Sequence, residues 1–406
     1  MNKKCINAYK SIRFSNNGQA ALCCKSSTML KDASNQICSI ETHTMMDALN
    51  SKGAIEIREA LDQGIEHPNC KMCWDEEAAG LTSKRTLDYE MAIKKWGKEY
   101  ADSENVEPGL LEINLGTLCN LKCRICGPWA SSRWNKETID NAAPEDRERV
   151  KQNIKEMSGD GKFEDDSKTW ENLESVLPYV KEIDMYGGEP FMIEKQWQVL
   201  QKSVDLGYAK DQILHFNTNG THYEDKNIEI LKNFKHVEIS LSIDGVGKSF
   251  EYQRYLAKWD EVQSNLKKFK LLETQNANIR IQICITLNIL NVWHYHDYAK
   301  VFKEMGIHQY VNILHFGEHY SLYTLLENVK DLVKEKYNRI LATDTTLNAE
   351  DIENTKRILD FMCGRISTTD TWNKFIETVK RNDAYRNQSF SEVYPEFSKI
   401  IGFDND

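Results

Sequence analysis

No apolar run in the sequence approaches the ~20 residues that a membrane-spanning helix requires, and the opening Met-Asn-Lys-Lys leads into polar sequence, not into the core of a signal peptide. A protein that stays in the cytoplasm and has no membrane partner is expected. Internal repeats and low-complexity segments are absent as well. Basic charge is in deficit, with 52 Lys and Arg against 62 Asp and Glu and a net charge of −10. Broad binding to a phosphate backbone depends on clustered Lys and Arg that displace counterions, so nucleic acid is not the expected partner.

What is present is a chain of 406 residues, 40% hydrophobic, with a mean hydropathy of −0.60. That length exceeds the usual single domain, and one large domain with a smaller companion is the expectation. Eleven cysteines in a chain expected to face reducing conditions point to metal binding before disulfides. They group as Cys5, Cys23, Cys24, Cys38, Cys70 and Cys73, then Cys119, Cys123 and Cys126. Cys284 and Cys363 stand apart and, with Cys38, read as small buried hydrophobes.

Residues 11–23 read as a hairpin. Ile12 and Phe14 alternate on one arm, Asn17-Gly18 supply a two-residue turn, and Ala20 and Leu22 alternate on the other, ending at Cys23. A helix over 53–63 stops at Gly64 and Pro68, before Cys70-Lys-Met-Cys73. The charged helical stretch 75–107 reads as a connector, and Pro108-Gly109 marks a boundary. The expected domains are therefore 1–107, 108–320 with an insertion at 127–173 read as a cap or as a plain exposed insertion, and a helical region over 321–406.

Within the middle segment, β-patterned runs near 110–115, 180–186, 212–218, 236–243, 279–287 and 309–314 alternate with helical ones, the pattern of successive βα units and a parallel sheet. Strands covered on both faces by core read as continuous apolar runs. These instead alternate: Glu112 and Asn114 with Leu111 and Ile113, His215 and Asn217 with Leu214 and Phe216, Ser240 and Ser242 with Ile239 and Leu241. One sheet face is polar, which favours an α/β fold built as an open barrel around a solvated or ligand-filled interior.

Cys119-Asn-Leu-Lys-Cys123-Arg-Ile-Cys126 provides three thiolates, one short of the four that tetrahedral zinc or an ordinary ferredoxin cluster uses. At these residues the sequence resembles the radical S-adenosylmethionine superfamily, whose C-x3-C-x2-C motif follows the first strand of a partial (β/α)6 barrel. The resemblance covers roughly 108–320. It implies a [4Fe-4S] cluster held by Cys119, Cys123 and Cys126, with one iron left to bind S-adenosylmethionine. It also implies cofactor contacts from Gly187-Gly188-Glu189-Pro190, from Ser240 and Ser242 in Ser240-Leu-Ser242-Ile-Asp244, from Asn219 and from Arg254, with Ile125 near the adenine. Independently of the resemblance, two glycines allow close backbone approach and a carboxylate suits an ammonium.

Cys5 and Cys23, with Gly18 between them, followed by the Cys70–Cys73 pair, are similar to the auxiliary-cluster motif of Twitch and SPASM domains, here placed before the barrel. The resemblance implies a second [4Fe-4S] cluster ligated by Cys5, Cys23, Cys70 and Cys73, with Cys24 and Cys38 as alternative ligands and zinc as the alternative metal. It further implies hydrogen abstraction from a peptide or a small alcohol such as a sugar, an auxiliary cluster that accepts an electron, and a donor such as flavodoxin or ferredoxin. A redox-neutral epimerase and a noncatalytic zinc or iron–sulfur interaction protein are the alternatives. Asp184, His215, Asn217, Asn288, Asn312, His315 and Glu318 are polar candidates at strands or their carboxyl ends, where barrel sites gather; none is assigned as an acid or base.

Overall fold

The computed structural model describes residues 5–78, 82–114, 116–158, 166–314 and 317–403. Its centre is a sheet of eight strands, in the order β10-β9-β7-β6-β5-β3-β1-β2. The strands in it are β1 (Ser11–Phe14), β2 (Ala20–Ala21), β3 (Leu110–Asn114), β5 (Glu182–Tyr186), β6 (Ile213–Thr218), β7 (His236–Ser242), β9 (Ile279–Leu287) and β10 (His308–Ile313). Two short strands, β4 (Lys122–Cys123) and β8 (Arg254–Tyr255), form a separate antiparallel ribbon. The last six strands of the sheet coincide with the six alternating runs of the sequence, all pair in parallel, and the α/β class follows.

The hairpin does not stand apart from this sheet. β1 pairs in parallel with β3, setting Ile12 opposite Leu111 and Phe14 opposite Ile113, while β2 is its antiparallel edge. One apolar core therefore runs from Ile12 and Phe14 through Ile113, Met185, Phe216 and Ile239 without a break. The turn also differs from the two-residue reading. Ser15 N–H donates to Gln19 O at 3.0 Å and Gly18 N–H to Ser15 O at 2.7 Å, so Asn16, Asn17 and Gly18 form a three-residue loop with Gly18 at φ 75°, the geometry that only glycine adopts freely.

Alternation along the strands sorts their side chains onto two faces. Ile183, Met185, Leu214, Phe216, Ile239 and Ile283 are fully buried and face helices; Trp197 stacks on Phe216 with ring centroids 5.8 Å apart. The polar residues share the other face. Helix Lys84–Trp96 lies across the amino-terminal ends of that face, where Lys84 reaches Glu112 at 3.2 Å and Lys95 reaches Glu182 at 2.6 Å.

In the insertion, helices occupy Trp134–Asp140, Arg147–Ser158 and Ser167–Val176. The carboxyl-terminal region is helical, and its helix Thr369–Arg386 reaches back to the cysteine loop. Cys38 and Cys284 are buried, but Cys363, read as a buried hydrophobe, is exposed: it ends helix Ala349–Cys363 on the outward side, where the pattern Ile358 and Met362 defines the buried stripe. Among the described residues no helix is long and apolar enough to cross a membrane.

Candidate functional site

The cysteine loop leaves the carboxyl end of β3, and its geometry is set by the next strand's loop. Gly187 and Gly188 have φ of 84° and 52°, which L side chains rarely adopt. A Cβ on Gly188 would sit 2.1 Å from Leu118 O, and one on Gly187 would sit 2.1 Å from Asn114 Oδ1. The two glycines thus let the loop after β5 seat directly against the chain that enters Cys119. Glu189 N–H completes the contact by donating to Leu118 O at 2.7 Å.

Glu189 itself is 1% exposed. Its Oε1 accepts from Thr218 Oγ1 at 2.6 Å and from Phe191 N–H at 3.1 Å; its Oε2 accepts from Asn219 N–H at 2.7 Å. Burial nevertheless pushes the carboxyl pKa up. The carboxylate ties the loop after β5 to the end of β6, and among the described residues one lone-pair direction of Oε2 receives no protein donor. Asn219 follows on: its Nδ2 donates to Asn120 Oδ1 at 2.9 Å and lies 4.0 Å from Cys119 Sγ, while its Oδ1 accepts from Thr221 N–H at 2.9 Å.

On the opposite wall, the β4–β8 ribbon pairs Cys123 with Arg254. Arg254 Nη1 lies 3.8 Å from Cys123 Sγ and Nη2 lies 2.7 Å from Asp244 Oδ2. Its Nε is buried without a partner among the described residues. Burial alone would lower the guanidinium pKa, but Asp244 and the thiols of Cys123 and Cys126 outweigh it and hold the charge. Asp244 is 1% exposed and also accepts from Thr286 N–H at 2.8 Å. The motif alone assigns Asp244 no role; its signal in the sequence is its place after an alternating strand, ten residues before the arginine.

Burial pushes the Cys119 thiol up to about 12. Cys123 is pulled down to about 7, first by the Cys126 thiol beside it and then, against burial, by Arg254. A cation bound at these sulfurs would favour the thiolate form further. Among the described residues no three metal-ligating side chains converge on a single ion. A four-iron cluster takes each thiolate on a different iron, so its ligands need not converge on one point. Three thiols and a paired arginine with an unused buried donor fit a cluster with one iron open.

Ser240 and Ser242 part company. Ser240 Oγ lies 3.1 Å from His215 Nε2 and accepts from Gln282 Nε2 at 2.8 Å, inside the polar face. Ser242 is the next residue on that face towards the cysteine loop, half-buried, and its hydroxyl has no hydrogen-bond partner among the described residues. His215 is the hub of the face, with Asp184 Oδ1 at 3.3 Å and Glu238 Oε1 at 3.6 Å and the Tyr186 hydroxyl at 3.4 Å. Burial pulls its pKa down, but Asp184 and then Glu238 raise it above the ordinary value. A cavity of about 570 Å³ opens at the amino-terminal ends of the strands, lined by Lys84, Glu112, Asp184, His215 and Glu238 among others. Asn288 is held by Gln253 Oε1 at 3.2 Å and by Asn291. Asn312 points outward. His315 and the side chain of Glu318 lie outside the described residues.

The amino-terminal cysteines come from four short elements. Cys5 precedes helix Ile6–Lys10, Cys23 follows β2, Cys70 ends the turn Pro68–Cys70, and Cys73 lies in helix Lys71–Ala78. Burial pushes the Cys5 thiol up, and the neighbouring Cys23 and Cys70 add to it. Cys70 is raised to about 12 by burial, then by Cys23 and Cys73. These mutual influences place the four sulfurs in one neighbourhood. Cys24 is exposed and shares the charged neighbours Glu112 and Lys84 with Cys23, whereas the neighbours of Cys38 are Ser51, Asp32 and Asp47.

Residues 113–289 match the Radical SAM superfamily. A comparison with curated proteins gives no match. Among solved structures the chain is similar to native anSMEcpe with bound AdoMet and Cp18Cys peptide, at 18% identity and a TM-score of 0.34 over 58% of this chain and 61% of that one. It is similar also to Streptococcus suis SuiB, at 17% identity and a TM-score of 0.36 over 83% and 69%, and to SuiB bound to precursor peptide SuiA, at 17% identity and a TM-score of 0.33 over 83% and 70%. The chain spans less than two thirds of the first of these structures, and scores this low carry no inference about substrate. The stretch that brings together the cysteine loop, the glycine pair, Asp244 and Arg254 is the one that matches the Radical SAM superfamily.

Proposed function

We propose that this chain is a radical S-adenosylmethionine enzyme that abstracts hydrogen from an unactivated C–H bond of a peptide or a small alcohol. The observation that carries the reading is the juxtaposition of three thiols on one loop with Arg254 directly across from Cys123, inside the segment that matches the superfamily. When bound, a [4Fe-4S] cluster at Cys119, Cys123 and Cys126 supplies the electron that cleaves the carbon–sulfur bond of S-adenosylmethionine, chemistry beyond protein side chains. Arg254 holds a fixed positive charge beside the loop, suited to the cofactor carboxylate. Glu189, anchored by Thr218 and Asn219, keeps one acceptor direction for its ammonium, and Ser242 offers a hydroxyl.

In this reading Cys5, Cys23, Cys70 and Cys73 hold an auxiliary [4Fe-4S] cluster that accepts the second electron of a substrate oxidation. In this reading a flavodoxin or ferredoxin is the external electron donor.

Metal and sulfide analysis of anaerobically reconstituted full-length protein tests the two sites together. The reading predicts about eight irons and about eight sulfides per chain, as two [4Fe-4S] clusters require. About four irons with one zinc would replace the auxiliary cluster by a structural site, and zinc at both sites would replace the enzyme by a metal-binding scaffold.

A further inference from the structure

Between two cluster-ligand candidates, the cysteine loop carries Arg124, which is 1% exposed. Its guanidinium lies 3.6 Å from the centre of the Tyr252 ring. Its Nε donates to Tyr252 O at 2.9 Å and its Nη2 to Gln388 Oε1 at 2.9 Å. Its counter-ion comes from 259 residues downstream: Asp383, on helix Thr369–Arg386, pairs with Nη2. Asp383 is pinned in turn by the Tyr252 hydroxyl at 2.8 Å and by Phe390 N–H at 2.7 Å.

One helical turn on, Arg386 makes a second attachment to the same loop. It donates from Nε to Glu137 Oε1 at 3.0 Å and from Nη1 to Lys122 O at 3.1 Å, while Lys122 Nζ reaches Glu137 Oε2 at 2.6 Å. Both side chains of the Arg386–Glu137 pair are fully buried. The carboxyl-terminal helix, which lies beyond the matched segment 113–289, is thus tied to the cysteine loop by the Asp383–Arg124 ion pair and by the hydrogen bond from Arg386 to Lys122 O.

We infer that Asp383 and Arg124 form a positioning and charge-balancing pair for the cluster, so that the carboxyl-terminal helix sets its reduction potential. This rests on the reading of Cys119, Cys123 and Cys126 as cluster ligands. Reduction adds one electron to the cluster, and a buried fixed charge nearby is poorly screened and shifts that equilibrium according to its sign. With Asp383 present, the Arg124 charge is compensated in place. Without it, an uncompensated cation sits in the loop and favours the reduced state.

The test is a dithionite titration of reconstituted full-length protein, monitored by electron paramagnetic resonance on the cluster signal that changes when S-adenosylmethionine is added. Asp383→Asn is expected to raise the midpoint potential by at least a tenfold change in the reduction equilibrium, or about 59 mV for one electron. Arg124→Gln is expected to lower it, and the double variant to return close to wild type. Asp383→Glu, which keeps the charge, is expected to restore the wild-type value.

A merely structural role would move all variants in one direction, with loss of iron and of melting temperature, and would overturn the inference. An unshifted potential in Asp383→Asn with a full complement of iron would overturn it as well. If the wild-type protein binds no S-adenosylmethionine-responsive cluster, the proposed function fails instead, which iron analysis of the wild type reveals before any variant is made.

Discussion

Arg254 enters the cysteine loop as a buried cation, and Asp244 compensates it in an environment that is 1% exposed. Breaking a buried pair by removing one partner costs about 3–5 kcal/mol, because the other charge is left behind. Arg254→Ala is therefore expected to lower the melting temperature, and Asp244→Ala in the same chain to recover part of the loss. The cofactor prediction is separate. Arg254→Ala should weaken S-adenosylmethionine binding by about 1.5–3 kcal/mol, the worth of a hydrogen bond to a charged group, with the first cluster's iron retained; unchanged affinity by calorimetry would remove Arg254 from the cofactor site. His215 gives a pH test. Its folded pKa is raised above the unfolded value of about 6.5 because Asp184 and Glu238 outweigh burial. Its contribution to stability is therefore complete below about pH 6.5 and is lost as pH rises through the raised value. The difference in melting temperature between wild type and His215→Gln should be largest at mildly acidic pH and shrink towards alkaline pH; a difference that grows with pH would contradict the assignment. At this scale motifs made Glu189 and Arg254 legible. They did not reveal that Glu189 also spends lone pairs on Thr218 and Asn219, since those donors lie at the end of another strand.

Between elements, loops are fixed by how closely their backbones approach. Gly188 is held at φ 52°, and an added Cβ would meet Leu118 O at 2.1 Å. Gly207 also has a positive φ, 80°, but has nothing within 4 Å of an added Cβ. Gly188→Ala should destabilise the protein by more than about 1 kcal/mol, should exceed the cost of Gly207→Ala, and should reduce the iron retained by the cysteine loop; equal melting temperatures for the two variants would contradict the close approach. The six parallel strands β3, β5, β6, β7, β9 and β10 were legible because alternation is a local pattern that each strand carries by itself. The hairpin was legible as a hairpin, but its turn was not, because Asn17-Gly18 fits a two-residue and a three-residue loop equally well until Ser15 is seen to pair with Gln19. That β1 continues the sheet beside β3 left no trace in composition, since parallel pairing joins residues about a hundred positions apart through backbone groups that every residue carries.

Across the whole molecule, a single sheet connects the amino-terminal cysteines to the segment that matches the Radical SAM superfamily, and the carboxyl-terminal helix closes on the cysteine loop through Asp383 and Arg386. The two cysteine groups were legible from spacing, whereas the helix that clasps one of them was not, because an ion pair that spans 259 residues has no sequence period. The arrangement has a direct functional consequence: the thiols, Arg254 and Glu189 surround one site at the carboxyl ends of the strands, and a polar cavity lies at the opposite end. The most direct measurement is the yield of 5′-deoxyadenosine when reconstituted, reduced full-length protein is incubated with S-adenosylmethionine. The account predicts steady formation by the wild-type chain and none above background for Cys123→Ala. Equal yields from the two proteins would contradict it.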